Sequence, residues 1–174
     1  MNSPDPLFFS HRESVEGNGF VAAISMRGRC LVAREQRDDD AGDAWVFYGV
    51  QPCGLSAEGD SLPSAFAEFR ESLKDILFGL ADEAPNFDQF RLAVEAFFNQ
   101  TDSDTDLWLR RAEEIRSGSG EPVDQTVSSL SQRLFHENKP ALSIDLKIAN
   151  VLADDGNYEP SPSNNVTSGF RVAA

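Results

Sequence analysis

Residues 49–80 constrain the fold more than any other stretch: GVQPCGLSAEGDSLPSA runs directly into FAEFRESLKDILFGL. The preceding AWVFYGV, residues 44–50, is bulky, rich in β-formers and apolar on both faces, which suits a central strand. Pro52 and Gly54 end it, and residues 55–59 form a short return segment. Ser61 is then a good helix N-cap, with Pro63 tolerated in the first turn. Phe66, Phe69, Leu73, Ile76, Leu77 and Leu80 follow at steps of 3, 4, 3, 1 and 3, one apolar stripe along a helix. Glu68, Arg70, Glu71, Lys74 and Asp75 take its outer face. Such a helix needs a sheet to lie on, so the chain is expected to be α+β, with a small antiparallel-rich sheet.

The rest of that sheet is expected upstream. LFFSHRES and FVAAISM flank VEGNG, whose glycines supply the positive φ angles of a hairpin. MRGR separates FVAAIS from CLVARE, either as a second tight turn or as a bend within one long strand. Downstream, Asn86 with Gln89 resembles a capping box, and Phe87, Phe90, Val94, Phe97 and Phe98 repeat at helical spacing. LWLRRAEEIRS gives a shorter helix with Asp106 four residues before Arg110. Pro122 opens a third, in which Val123, Val127, Leu130 and Leu134 recur at steps of 4, 3 and 4. Leu142, Ile144, Leu146 and Ile148 alternate with Ser143, Asp145 and Lys147, the pattern of a half-buried strand. The organisation predicted is an α/β domain over 1–82, a helical segment over 83–138, a returning strand on the core over 139–152 and an extended tail over 153–174.

Charge bears on partners. The chain of 174 residues carries a net charge of −14, and residues 38–115 hold 18 acidic against 5 basic side chains. A field of that sign repels phosphate backbones and anionic lipid and speeds encounter with a basic partner. Cys30 and Cys53 form no CxxC motif and suit a reducing compartment. The opening NSPDPLFFSHRES lacks the basic start and apolar stretch of a secretion signal, and no run approaches a membrane span, so a cytoplasmic protein is expected.

The junction resembles the HicB-like antitoxin family, in which a strand and a Pro-Gly pair lead through G-x4-G-D-[ST]-x3-A into an amphipathic helix. Gly54, Gly59, Asp60, Ser61 and Ala65 stand at those intervals, and Gly19, Phe20 and Val21 match an upstream G-[FY]-V segment. The resemblance covers residues 8–80. Cys53 parts Pro52 from Gly54 where the family has the two adjacent, the 38–43 loop is an insertion, and residues 86–137 have no counterpart. It implies a partly reduced RNase H-like sheet with one packed helix. It also implies a dimeric antitoxin that masks a small basic RNA-cleaving toxin, the product of an adjacent gene. Operator binding through this chain is doubtful, because the third helix offers only Arg133 where a DNA reader clusters Lys and Arg.

The chemistry-bearing residues favour binding over catalysis. Asp38, Asp39, Asp40 and Asp43 sit in one loop with side chains pointing apart, unlike the converging carboxylates of a two-metal nuclease. They read as a hydrated loop or as an electrostatic lure for a basic partner. Asp60 suits turn and cap chemistry at the helix start. His11 falls on an edge strand and His136 at a helix end, and the chain has no GK[ST], H-x-E or H-E-x-x-H pattern. No catalytic residue, metal ligand or cofactor is predicted. Tyr158, Phe170 and Val172 are isolated anchors in the tail, placed to lie across a toxin, a second protomer or the chain's own domain. The reading is thus a non-enzymatic, toxin-neutralising protein, a possible homodimer. The alternatives are a stand-alone acidic inhibitor or DNA mimic and, more distantly, a metal-dependent nuclease.

Overall fold

The sheet begins with a hairpin that turns on Asn18 and Gly19. Strand β1 (Asp5–Gly17) pairs antiparallel with β2 (Phe20–Gln36) in unbroken register from Asp5 opposite Val32 to Gly17 opposite Phe20. Gly19 has φ 76°, the left-handed conformation such a two-residue turn requires. The computed structural model describes residues 3–37, 42–120, 124–127 and 139–149. MRGR is no second turn: it lies inside β2, which runs unbroken for 17 residues and shifts register against β3 at Arg29/Cys30.

That length lets β2 serve two partners along one side. Residues 29–36 pair with β3 (Asp43–Gln51) and residues 20–27 with β5 (Ala141–Ala149), both antiparallel. β4 (Cys53–Gly59) completes the order β1-β2-β3-β4, and its outer edge meets no further strand among the described residues. AWVFYGV is therefore internal, as its two apolar faces require.

Helices cover both faces of the sheet. α1 (Leu62–Glu83) and α2 (Phe87–Phe98) pack on one face over a large aromatic core. Phe69 stacks edge-on against Phe9 at 5.1 Å and lies 5.9 Å from Phe47, and Phe20 meets Phe90 at 5.1 Å. The buried line of α1 is Leu62, Ala65, Phe69, Leu73, Leu77 and Ala81, with Phe66, Ile76 and Leu80 half-buried beside it. The stripe is thus rotated from the one drawn through the large residues, because two alanines let the helix approach the strands closely. Asn18 Nδ2 donates to the Asp82 and Ala84 carbonyls, at 3.3 and 2.9 Å, and so ties the hairpin tip to the end of α1.

α3 (Asp104–Ser117) lies on the opposite face, where Trp108 and Ala112 join Phe8, Leu31 and Val50 in a smaller core. The Trp108 indole N–H is shared between the carbonyls of Leu7 and Cys30, at 3.2 and 3.1 Å. The fold is α+β, and its sheet carries three helices among the described residues where the resemblance implies one. Asp106 and Arg110 form no ion pair among the described residues. In β5, Leu142 and Ile144 pack at the margin of the large core, while Leu146 and Ile148 stand exposed. The alternation therefore marks a strand but yields a half-buried face only at its start, ahead of a register shift opposite Val21/Ala22. In the helix expected from Pro122, Val127 is buried, and the rest of its apolar seam lies outside the described residues.

Candidate functional site

The junction between β4 and α1 is held by local chemistry at every step. A cis Gln51–Pro52 bond and Gly54, with φ 81°, turn the chain from β3 into β4. Ser61 caps α1: its side chain accepts the Ser64 N–H at 3.3 Å, while Ser64 Oγ accepts the Ser61 N–H at 3.0 Å. Gly59 must lack a side chain, since a Cβ there would lie 2.5 Å from the Ala65 nitrogen. Ala65 is fully buried against that crossing. Asp60 takes no part in the cap. Its carboxylate accepts from Arg37 Nη1 at 2.7 Å, and Glu58 approaches the same guanidinium at 3.9 Å.

These contacts build one wall of a groove of about 480 Å³ between β4 and a flank of α1. Ser56, Glu58 and Asp60 line it from the β4 side, Ser64, Glu68 and Ser72 from α1, and Arg37 lies beside Glu58 and Asp60. Arg37 is shared by Glu58 and Asp60, and Glu68 forms no ion pair among the described residues, so the groove keeps a negative excess. The free edge of β4 runs beside it.

Of the acids expected to bind a partner, Asp43 opens β3 and pairs with Arg34 at 3.2 Å. Both side chains are about half exposed, so the carboxylate still faces solvent. Asp38, Asp39 and Asp40 lie outside the described residues, as do Tyr158, Phe170 and Val172. The residues that flank the acidic stretch are joined: the Arg37 N–H donates to the Gly42 carbonyl at 3.1 Å. Sequence places Glu68 only on the outer face of the helix and gives Arg37 and Glu58 no role. Ser64, Glu68 and Ser72 do stand four apart, a polar line beside the apolar stripe, and that was the one signal available.

A second cavity, of about 220 Å³, opens on the other flank of α1, over β1. His11, Glu13, Ala67, Arg70, Glu71 and Lys74 line it. His11 is only 3% exposed, and neither ring nitrogen has a hydrogen-bond partner among the described residues. Burial pushes its pKa below the usual 6.5. Elsewhere, burial raises Asp5 to about 6 despite Arg111 4.0 Å away. Cys30 is buried, with its thiol pushed up by desolvation. No cluster of three or more His, Cys, Asp or Glu side chains that could hold a metal ion occurs among the described residues. No helix among them is long and apolar enough to cross a membrane. Compared with family models, with curated proteins and with solved structures, the chain finds no match in any of the three.

Proposed function

We propose that this chain is a binding protein of antitoxin type that seats a small basic protein on the groove between β4 and α1 and occludes that protein's active surface. The observation that carries the reading is the groove's uncompensated acid: Glu68 stands opposite Glu58 and Asp60, whose shared cation is the single guanidinium of Arg37. The charge of residues 38–115, with 18 acids to 5 bases, extends that sign around the groove. Exposed acids of this kind raise the association rate and select partners more than they add affinity. A strand with a free edge offers backbone donors and acceptors to the same partner.

Occlusion asks of this chain only a rigid frame that presents those groups. The capped junction supplies it, since Ser61, Gly59 and Ala65 fix the angle at which α1 leaves β4. The test is co-expression with the short basic protein encoded beside this chain's gene, followed by purification of the pair and an RNA-cleavage assay of the partner. A stoichiometric complex in which cleavage stops is the expected result. A partner that passes through unbound, or cuts RNA equally fast when bound, would defeat the reading.

A further inference from the structure

The cavity on the β1 flank of α1 has features of a ligand site that the proposed function leaves unused. His11 lines it, nine-tenths and more buried, with both ring nitrogens unpartnered among the described residues. Buried polar atoms are almost always paired, so an imidazole without a partner marks a place where a bond is still to be made. Around it, the two acids are engaged. Glu13 accepts the Ser14 N–H at 3.2 Å and approaches the His11 ring only to 3.9 Å, while Glu71 holds Lys74 at 3.3 Å. Arg70 is different. It has no carboxylate partner among the described residues, and its guanidinium only overlies the Phe66 ring at 6.0 Å.

We propose that this cavity binds a small oxyanion, a carboxylate or a phosphoryl group, gripped by the Arg70 guanidinium and by an N–H of His11, with Lys74 at its rim. A guanidinium presents paired donors that match two oxygens of such a group, and the imidazole adds a third donor from below. The cavity's volume, about 220 Å³, accommodates a group of that size. Apart from Ala67, the rest of the lining consists of long side chains, Glu13, Arg70, Glu71 and Lys74, whose ends move without any backbone shift. The charged groups facing His11 are Glu13 from β1 and Arg70, Glu71 and Lys74 from α1. An anion beside the ring favours the imidazolium, so binding tightens as pH falls toward the ordinary imidazole value.

The test is an NMR titration of the full chain with inorganic phosphate and, separately, with acetate, against sodium chloride at equal ionic strength. The chain has two histidines, so the ring signal of His136 serves as an internal control. A saturable shift of the His11 signal and a raised His11 pKa are expected with at least one anion. Saturation by phosphate alone assigns a phosphoryl ligand, and saturation by acetate a carboxylate. Arg70→Gln, an exposed substitution whose fold is checked by circular dichroism, should weaken binding roughly tenfold or more. Shifts that follow ionic strength alone, or that persist unchanged in Arg70→Gln, would overturn the proposal.

Discussion

The two flanks of α1 are built from one helix and one sheet, yet they differ in chemistry. Toward β4, exposed Glu58, Asp60 and Glu68 outnumber a single, already shared arginine, and the surface is an open groove. Toward β1, Arg70 and Lys74 stand over a buried histidine in a smaller cavity. Between them runs the line from Leu62 to Ala81 that anchors the helix. The difference teaches that a single amphipathic helix on a sheet makes two unlike surfaces, because the residues just off its buried stripe meet different strand edges. We propose a large cationic partner for the first flank and a small anion for the second.

The largest expected effect comes from the divide itself. Phe69→Ala removes a fully buried ring that meets both Phe9 and Phe47, and should cost about 3–5 kcal/mol in denaturant unfolding. Both flanks should then fail together; loss of one alone would show that they do not share the helix as a common support. Trp108→Phe acts on the opposite face, removing the indole N–H that the Leu7 and Cys30 carbonyls share. It should cost about 1–3 kcal/mol while the surviving folded protein keeps both flanks intact, as hydrogen exchange along α1 would report. Ser61→Ala, which breaks the cap beside Ser64, should cost about 1 kcal/mol and speed exchange at the β4 end of α1 before its far end.

The smallest effect separates the flanks by pH. The buried His11 imidazole titrates below 6.5 in the folded chain, so the unfolded chain takes up the proton first. Its contribution to stability is therefore present above pH 6.5 and is lost as pH falls below it. Asp5 pulls the other way: raised to about 6, it favours the folded state at low pH and loses that contribution as pH rises through its folded value. The His11 part is read as the difference between wild type and His11→Phe in unfolding measured across pH 5 to 7, roughly the range in which a histidine titrates. Wild type should lose stability relative to the variant on acidification, and equal slopes would show that the ring finds a partner.

How much of this the sequence carried follows from how local each feature is. The β4–α1 junction was legible because Ser61, Pro63 and the helical stripe act within a few residues of one another. The Asn18–Gly19 hairpin was legible for the same reason. The place of α3 was not, since Trp108 and Ala112 are its only buried apolar residues and its partners Phe8, Leu31 and Val50 are distant in sequence. The strand at Leu142 announced itself by alternation, but alternation cannot say which of its apolar residues a helix will cover, and Leu146 and Ile148 are left exposed. For the groove, composition gave the sign of the charge and put Asp43 in the binding set, and the fold sets that carboxylate beside Arg34 at the surface. Arg37, Glu58 and Glu68 line one groove only because β2, β3 and β4 fold back on one another and α1 packs beside β4, which no local pattern records. His11 lay on the edge strand its surroundings suggested, and only the helix above it makes it buried.

On the proposed function, acid on the β4 flank and not acid in general recruits the partner, and stopped-flow association with the proposed basic partner over a range of ionic strength decides it. Glu58→Gln with Glu68→Gln removes two charges from the groove and leaves Asp60 to hold Arg37; Glu13→Gln with Glu71→Gln removes two from the other flank. Roughly tenfold slower association and a flatter salt dependence are expected for the first pair, with little change for the second. Equal slowing by both pairs, or by neither, would contradict it.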